Sequence, residues 1–185
     1  MTVIVDTNVI LVANGSHADV SDACVSTCAG RLLDISRSGR VAIDDAYRIL
    51  AEYQNKTSPY EGKRAGDAFL KWLLRNSANP AKCDQVPLSE HPERGFESFP
   101  DDERLRTFDP PDRKFVAVAV AHAAKPPILQ AADSKWLDWA LPLQDHGVRV
   151  DFVCGTDIKR FDDKKKGRAP GQPKDGSRAP RRTKA

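Results

Sequence analysis

Apolar positions along the chain switch repeatedly between a period of two and a period near three and a half, and the switches divide it into alternating strands and helices. Val3-Ile4-Val5 is a short apolar run, rich in valine, halted by Asp6-Thr7-Asn8, and it reads as a buried strand with an acid at its carboxyl end. A turn region containing Asn14, Gly15 and Ser16 follows. Val20, Cys24, Cys28, Leu32 and Ile35 then recur at spacings of three and four, which predicts a helix with one buried stripe, stopped at Ser38-Gly39. Val41-Ala42-Ile43 is a second strand. Asp44 can cap the next helix, whose apolar positions are Ala46, Ile49, Leu50 and Tyr53, with Glu52 near its end. A third helix is predicted over 62–76, with Ala65, Phe69, Trp72 and Leu73 on one face and Trp72 in the core.

Residues 79–111 are less regular. Pro80, Pro87, Pro92, Pro100, Pro110 and Pro111 interrupt them, and only Val86 and Leu88 suggest a strand. A connection of this length is expected to shape access to a site. Phe115 to Ala121 alternates large and small side chains as a strand does, yet Pro110-Pro111-Asp112 is a helix-start signature, so a buried helix is predicted, ending before Pro126. Ile128-Leu129 then leads to Ala131-Ala132-Asp133, another acid just after a strand. A helix carrying Trp136, Leu137, Ala140 and Leu141 and a last strand over 148–153 complete the pattern. Strands alternating with helices specify an α/β domain with a mainly parallel sheet.

Charge adds a second division. From Lys159 onward 11 Lys or Arg face 3 Asp, a net of +8, whereas the preceding 158 residues hold 18 basic against 23 acidic groups, a net of −5. Beyond Phe161 no apolar side chain exceeds Ala or Pro, and Gly and Pro recur. The expected organisation is therefore a folded domain over 1–155 and a basic, disordered tail over 156–185, serving either to attract phosphates or to solubilise. The four cysteines (Cys24, Cys28, Cys83, Cys154) form no CxxC pair, and neither a signal-type start nor an apolar run of about 18 residues is present. These features lead us to expect a cytoplasmic protein with reduced cysteines and no membrane contact. Cys24 and Cys28 lack the companions of a zinc site and are read as small core residues.

The acids change the picture most. Asp6, Asp44 or Asp45, and Asp133 follow strands, Asp112 opens a helix, and Glu52 lies in another. In a parallel sheet with crossover helices, such positions share the edge where ligands bind. Like charges about 4 Å apart repel by roughly 4 kcal/mol per pair at an intermediate dielectric, and a divalent cation is the simplest compensation. Oxygen donors without nearby histidine favour Mg²⁺ or Mn²⁺ over Zn²⁺. Capping and surface acids would produce the same pattern.

Val3-Ile4-Val5-Asp6-Thr7-Asn8-Val9, the acid at Glu52, Asp109-Pro110-Pro111-Asp112 before an alanine-rich helix, and Ile128-Leu129 leading to Asp133-Ser134 together resemble the PIN domain, a family of metal-dependent nucleases that includes toxin ribonucleases. The resemblance spans roughly residues 2–154. It implies a three-layer α/β/α sandwich and an acidic quartet of Asp6, Glu52, Asp112 and Asp133 holding Mg²⁺ or Mn²⁺, supported by Thr7 and Asn8. Phosphodiester hydrolysis follows, most readily of single-stranded RNA and less so of DNA, with a homodimer and an inhibitory protein partner as further expectations. Arg113, Lys114 and Lys135 are candidate phosphate contacts, and Asp109 and Asp138 are outside candidates for the acidic site, read as structural or solvated. The chain departs from the family at Ala131, where Thr or Ser is common. The 79–111 segment is also longer than in the compact toxins. A receiver domain would need adjacent acids after the first strand, and a haloacid-dehalogenase-like phosphatase would need an acid at Asn8. The competing reading is a catalytically degenerate module that binds RNA or protein through its fold and tail.

Overall fold

The structure, a computed structural model, describes residues 1–58, 60 and 62–167. Its centre is a five-stranded parallel sheet in the order β3-β2-β1-β6-β7. The strands are β1 (Thr2–Val5), β2 (Arg40–Asp44), β3 (Cys83–Val86), β6 (Ile128–Gln130) and β7 (Val150–Phe152), and β4 (Glu90–His91) and β5 (Gly95–Phe96) form a separate antiparallel ribbon. The helices are α1 (Thr7–Ala13), α2 (Asp22–Ser38), α3 (Arg48–Lys56), α4 (Ala65–Asn76), α5 (Arg113–Ala121), α6 (Trp136–Asp145) and α7 (Gly155–Lys165). The fold is thus α/β, a parallel sheet flanked by helices. No described helix is long and apolar enough to cross a membrane.

The chain leaves β1 for β2 and β3 on one side, then returns to build β6 and β7 on the other. Strand order therefore reverses at β1, and the crevice at the carboxyl ends of β1 and β6 is the topological switch point. Val5 lies beside Leu129 in the register, so residues just beyond these two strands are neighbours. The sheet is lined by fully buried Ile4, Val5, Val41, Ile43, Ile128 and Leu129, an apolar run on central strands covered on both faces.

The stripe on α2 is buried as its spacing predicts, through Cys24, Cys28, Leu32 and Ile35, and Gly39 ends the helix. Three expectations need correction. The stretch after Asn8 is helix α1, not turn, because Val9, Ile10, Val12 and Ala13 supply a buried face and the Asp6 side chain caps the helix by accepting from the Asn8 N–H. Trp72 is half-buried, so the core face of α4 is Phe69, Leu70 and Leu73. The proposed tail begins too early. Gly155–Lys165 is α7, with Asp157, Ile158 and Asp163 buried, and Asp157 accepts from both Ser21 N–H and Ser21 Oγ. The expected disordered stretch from 168 lies outside the described residues.

Residues 79–111 hold β3, the β4-β5 ribbon and two short 3₁₀ turns, Glu103–Leu105 and Pro110–Asp112. Phe96, Phe99, Leu105 and Phe108 anchor this segment in the core. Phe108 packs edge-on against Trp136 at 5.1 Å.

Asp44 shows how a strand-end acid can be purely structural. Its fully buried carboxylate accepts from the Arg48 and Ile49 backbone N–H groups at 2.9 and 2.8 Å and so caps α3. Asp44→Ala is expected to cost about 2–4 kcal/mol in urea unfolding, since it orphans both donors and a half-buried arginine contact, whereas Asp44→Asn, which still accepts, loses less than half of that. Equal losses in the two variants would refute the capping role.

Candidate functional site

Asp6 begins where β1 ends. Its backbone N–H donates to Leu129 O at 2.9 Å, which fixes the residue beside β6, and its Oδ1 accepts from the Asn8 N–H at 2.8 Å. Only 4 % of the residue is exposed. Burial raises its carboxyl well above the ordinary range, and the negative charges of Asp112, Glu52 and Asp133 raise it further, against the Asn8 hydrogen bond. Asp112, delivered by the turn before α5, is pushed up to about 6 by burial, with Glu52, Asp133 and Asp109 adding to the rise and Lys114 opposing it. The four sequence-predicted acids thus act on one another electrostatically at the switch point.

Their supports come from several elements. Thr7, the first residue of α1, donates from Oγ1 to Glu52 Oε1 at 2.5 Å, so α1 orients an acid carried by α3. Asn8 accepts from the Ala132 N–H through Oδ1 at 2.8 Å, which holds the turn preceding Asp133. Gln130, the last residue of β6 and completely buried, reaches Asp6 Oδ1 through Nε2 at 3.5 Å and accepts from the Asp133 N–H through Oε1 at 3.2 Å. The amide ties one acid to the backbone of another. Position 131, where the resemblance implies a supporting Thr or Ser, is alanine. The bridge comes one residue earlier, and the signal for it was a polar side chain ending the Ile128-Leu129 run.

Two of the three expected phosphate contacts are corrected. Lys114 is buried, and its ammonium bonds Glu52 Oε2 and the Pro111 carbonyl. It is an internal counterion, placed there because α5 turns this side of its first turn toward α3. The Arg113 guanidinium donates to the carbonyls of Phe108, Glu93 and Arg106 at 3.0–3.3 Å and stacks 5.0 Å from the Phe99 ring, so it secures the preceding segment. Lys135 is exposed and pairs with Asp109 at 2.9 Å. Asp45, the other acid after β2, accepts from the Leu88 N–H at 3.4 Å, and Asp138 pairs with Lys165; neither interacts with the quartet in the contacts described.

The donor set suits a hard cation, being carboxylate oxygens alone with one ammonium to offset four negative charges. It is not a tight chelate. Among the described residues, the only group of three or more potential ligands whose atoms all lie within 4.8 Å of one another is Cys24, Cys28 and Cys154. No three of the acids meet that limit among the described residues.

The cysteines overturn one expectation. Cys24 and Cys154 form a disulfide, and Cys28 and Cys83 are free and buried. The partners are separated by 130 residues and brought together only when α2 packs against the turn after β7, so no local spacing announced the bond.

No protein-family model, curated protein or solved structure matches this chain.

Proposed function

We propose that the chain is a PIN-like nuclease with a three-layer α/β/α arrangement, which hydrolyses phosphodiester bonds, in single-stranded RNA ahead of DNA, with Mg²⁺ or Mn²⁺ held by Asp6, Glu52, Asp112 and Asp133. The observation that supports this reading most is Asp6. A nearly buried carboxylate at the switch point, surrounded by three further acids, is a costly arrangement for a merely structural residue. Strained electrostatics of this kind mark sites that bind cations.

The ion would supply positive charge to the phosphate oxygens and acidify the attacking water. The protein's own groups supply the rest. The Asn8 N–H and the Gln130 amide fix the direction of Asp6, Thr7 and Lys114 fix Glu52, and the Gln130 carbonyl holds the backbone at Asp133. Asp112 or Asp133 takes the proton released by water. Lys135, exposed and paired with Asp109, would contact a phosphate backbone only by exchanging that partner, a contact worth little in high salt.

The test is cleavage of unstructured RNA and DNA oligonucleotides by the full chain in Mn²⁺, with chelator as control. Wild type should cut RNA only with the ion present, and Asp133→Asn should lower the rate by about 10²-fold or more. Activity that survives chelation, or equal rates in the two proteins, would overturn the reading. A protein that binds RNA without cutting it would instead be the non-catalytic module, relying on fold and basic tail.

A further inference from the structure

Away from the acids, α2 and the start of α7 enclose a cluster of three sulfur atoms. Cys24 and Cys28 stand one turn apart on the buried stripe of α2, and Cys154 is the residue from which α7 starts. Cys24 is bonded to Cys154, and the Cys28 Sγ lies 3.6 Å from the Cys154 Sγ. All three ligand atoms fall within 4.8 Å of one another, and none of the residues is more than 6 % exposed. The other free cysteine, Cys83, lies on β3. We propose that Cys24, Cys28 and Cys154 form an internal thiol–disulfide exchange site, in which the Cys28 sulfur attacks Cys154 and either cysteine of α2 can hold the start of α7.

The step balances without an outside reactant. Cys28 gives up its proton and attacks the Cys154 Sγ as thiolate; the Cys28–Cys154 bond forms, the Cys24–Cys154 bond breaks, and Cys24 leaves as thiolate and takes a proton. A normal sulfur–sulfur bond is about 2.0 Å, so the contact must close by roughly 1.6 Å, and because all three atoms lie within 4.8 Å of one another the Cys28 side chain must also rotate to come into line with the Cys24–Cys154 bond. Burial keeps outside thiols away from all three atoms, which leaves the neighbouring sulfur as the ready partner. It also pushes the Cys28 thiol up to about 12, so little thiolate is present and the exchange is slow. Making the first bond from a fully reduced chain does need an oxidant, for which a small-molecule disulfide such as oxidised glutathione suffices before α7 closes over α2, taking two electrons and yielding two of its own thiols. The bond joins helices already linked by the Asp157 to Ser21 hydrogen bonds and by Arg160, which donates to the Asp19 carbonyl. Exchange therefore preserves the α2–α7 joint while moving the free thiol one helical turn.

Peptide mapping of the full wild-type chain tests this. The protein is equilibrated in a glutathione buffer, quenched with acid, unfolded and alkylated. Labelled thiol is expected at Cys83 and, divided, at Cys28 and Cys24, with at least about one tenth of the divided share at Cys24. In the same buffer Cys24→Ala should yield Cys28–Cys154, and Cys28→Ala should yield Cys24–Cys154. Label confined to Cys28 and Cys83 in wild type would overturn the proposal, and that result does not depend on how either variant folds. Tight one-to-one capture of Zn²⁺ by the reduced chain, with no disulfide returning in the buffer, would also overturn it and assign the three sulfurs to a soft metal ion.

Discussion

Asp6→Asn is expected to abolish ion-dependent cleavage, by about 10³-fold or more, while making the ion-free protein more stable. The two effects have opposite signs for one physical reason. The asparagine keeps an oxygen for the Asn8 N–H and so preserves the cap of α1, but it removes a buried negative charge that Asp112, Glu52 and Asp133 all oppose. Because the folded-state pKa of Asp6 lies above its unfolded value, the ionised group destabilises the fold, and stability is recovered as pH falls through the folded value. Asp112 behaves in the same direction, with its transition at about 6. Ion-free wild type should therefore gain stability between pH 7 and pH 5, before other carboxylates begin to be lost from their ion pairs. Discounted for partial exposure, the gain from Asp112 over this range is about 0.5–1 kcal/mol. Saturating Mg²⁺ should flatten that rise, and Asp6→Asn should reduce it. A variant that loses activity together with stability would show that Asp6 is a structural cap and nothing more.

Lys114→Met is expected to lose about 2–4 kcal/mol of stability by urea unfolding in chelator. Lys114 is 7 % exposed and serves two acceptors at once, the Glu52 carboxylate and the Pro111 carbonyl. Methionine matches its length but leaves both acceptors short of a donor and adds an uncompensated charge to a crowded acidic site. Millimolar Mg²⁺ should restore part of the loss, and more in the variant than in wild type, if Glu52 shares the ion. A variant as stable as wild type in chelator would show that solvent serves Glu52 well enough without the ammonium.

How much of this could be read from sequence depended on the range of the interaction. The Asp6 position was legible because a strand that ends in an acid is a local pattern, and so was the buried stripe of α2, whose four apolar contacts repeat at helical spacing. Helix α1 was missed because seven residues are too few to show a period, and Asp6-Thr7-Asn8 favours a turn equally well. The roles of Lys114 and Gln130 were not legible at all: each is decided by a partner 62 or 124 residues away in the chain. The Cys24–Cys154 bond, closed across 130 residues, falls in the same class. The sequence of α7 reads as the start of a disordered tail because its surroundings are charged, although Ile158 and the buried Asp157 hold it against α2.

Arg113 sits next to Asp112 in the chain, and its guanidinium clasps three carbonyls of the excursion that precedes it. That loop and the acid are consequently joined through a single peptide unit. The packing of the excursion therefore helps to set where the backbone of Asp112 stands.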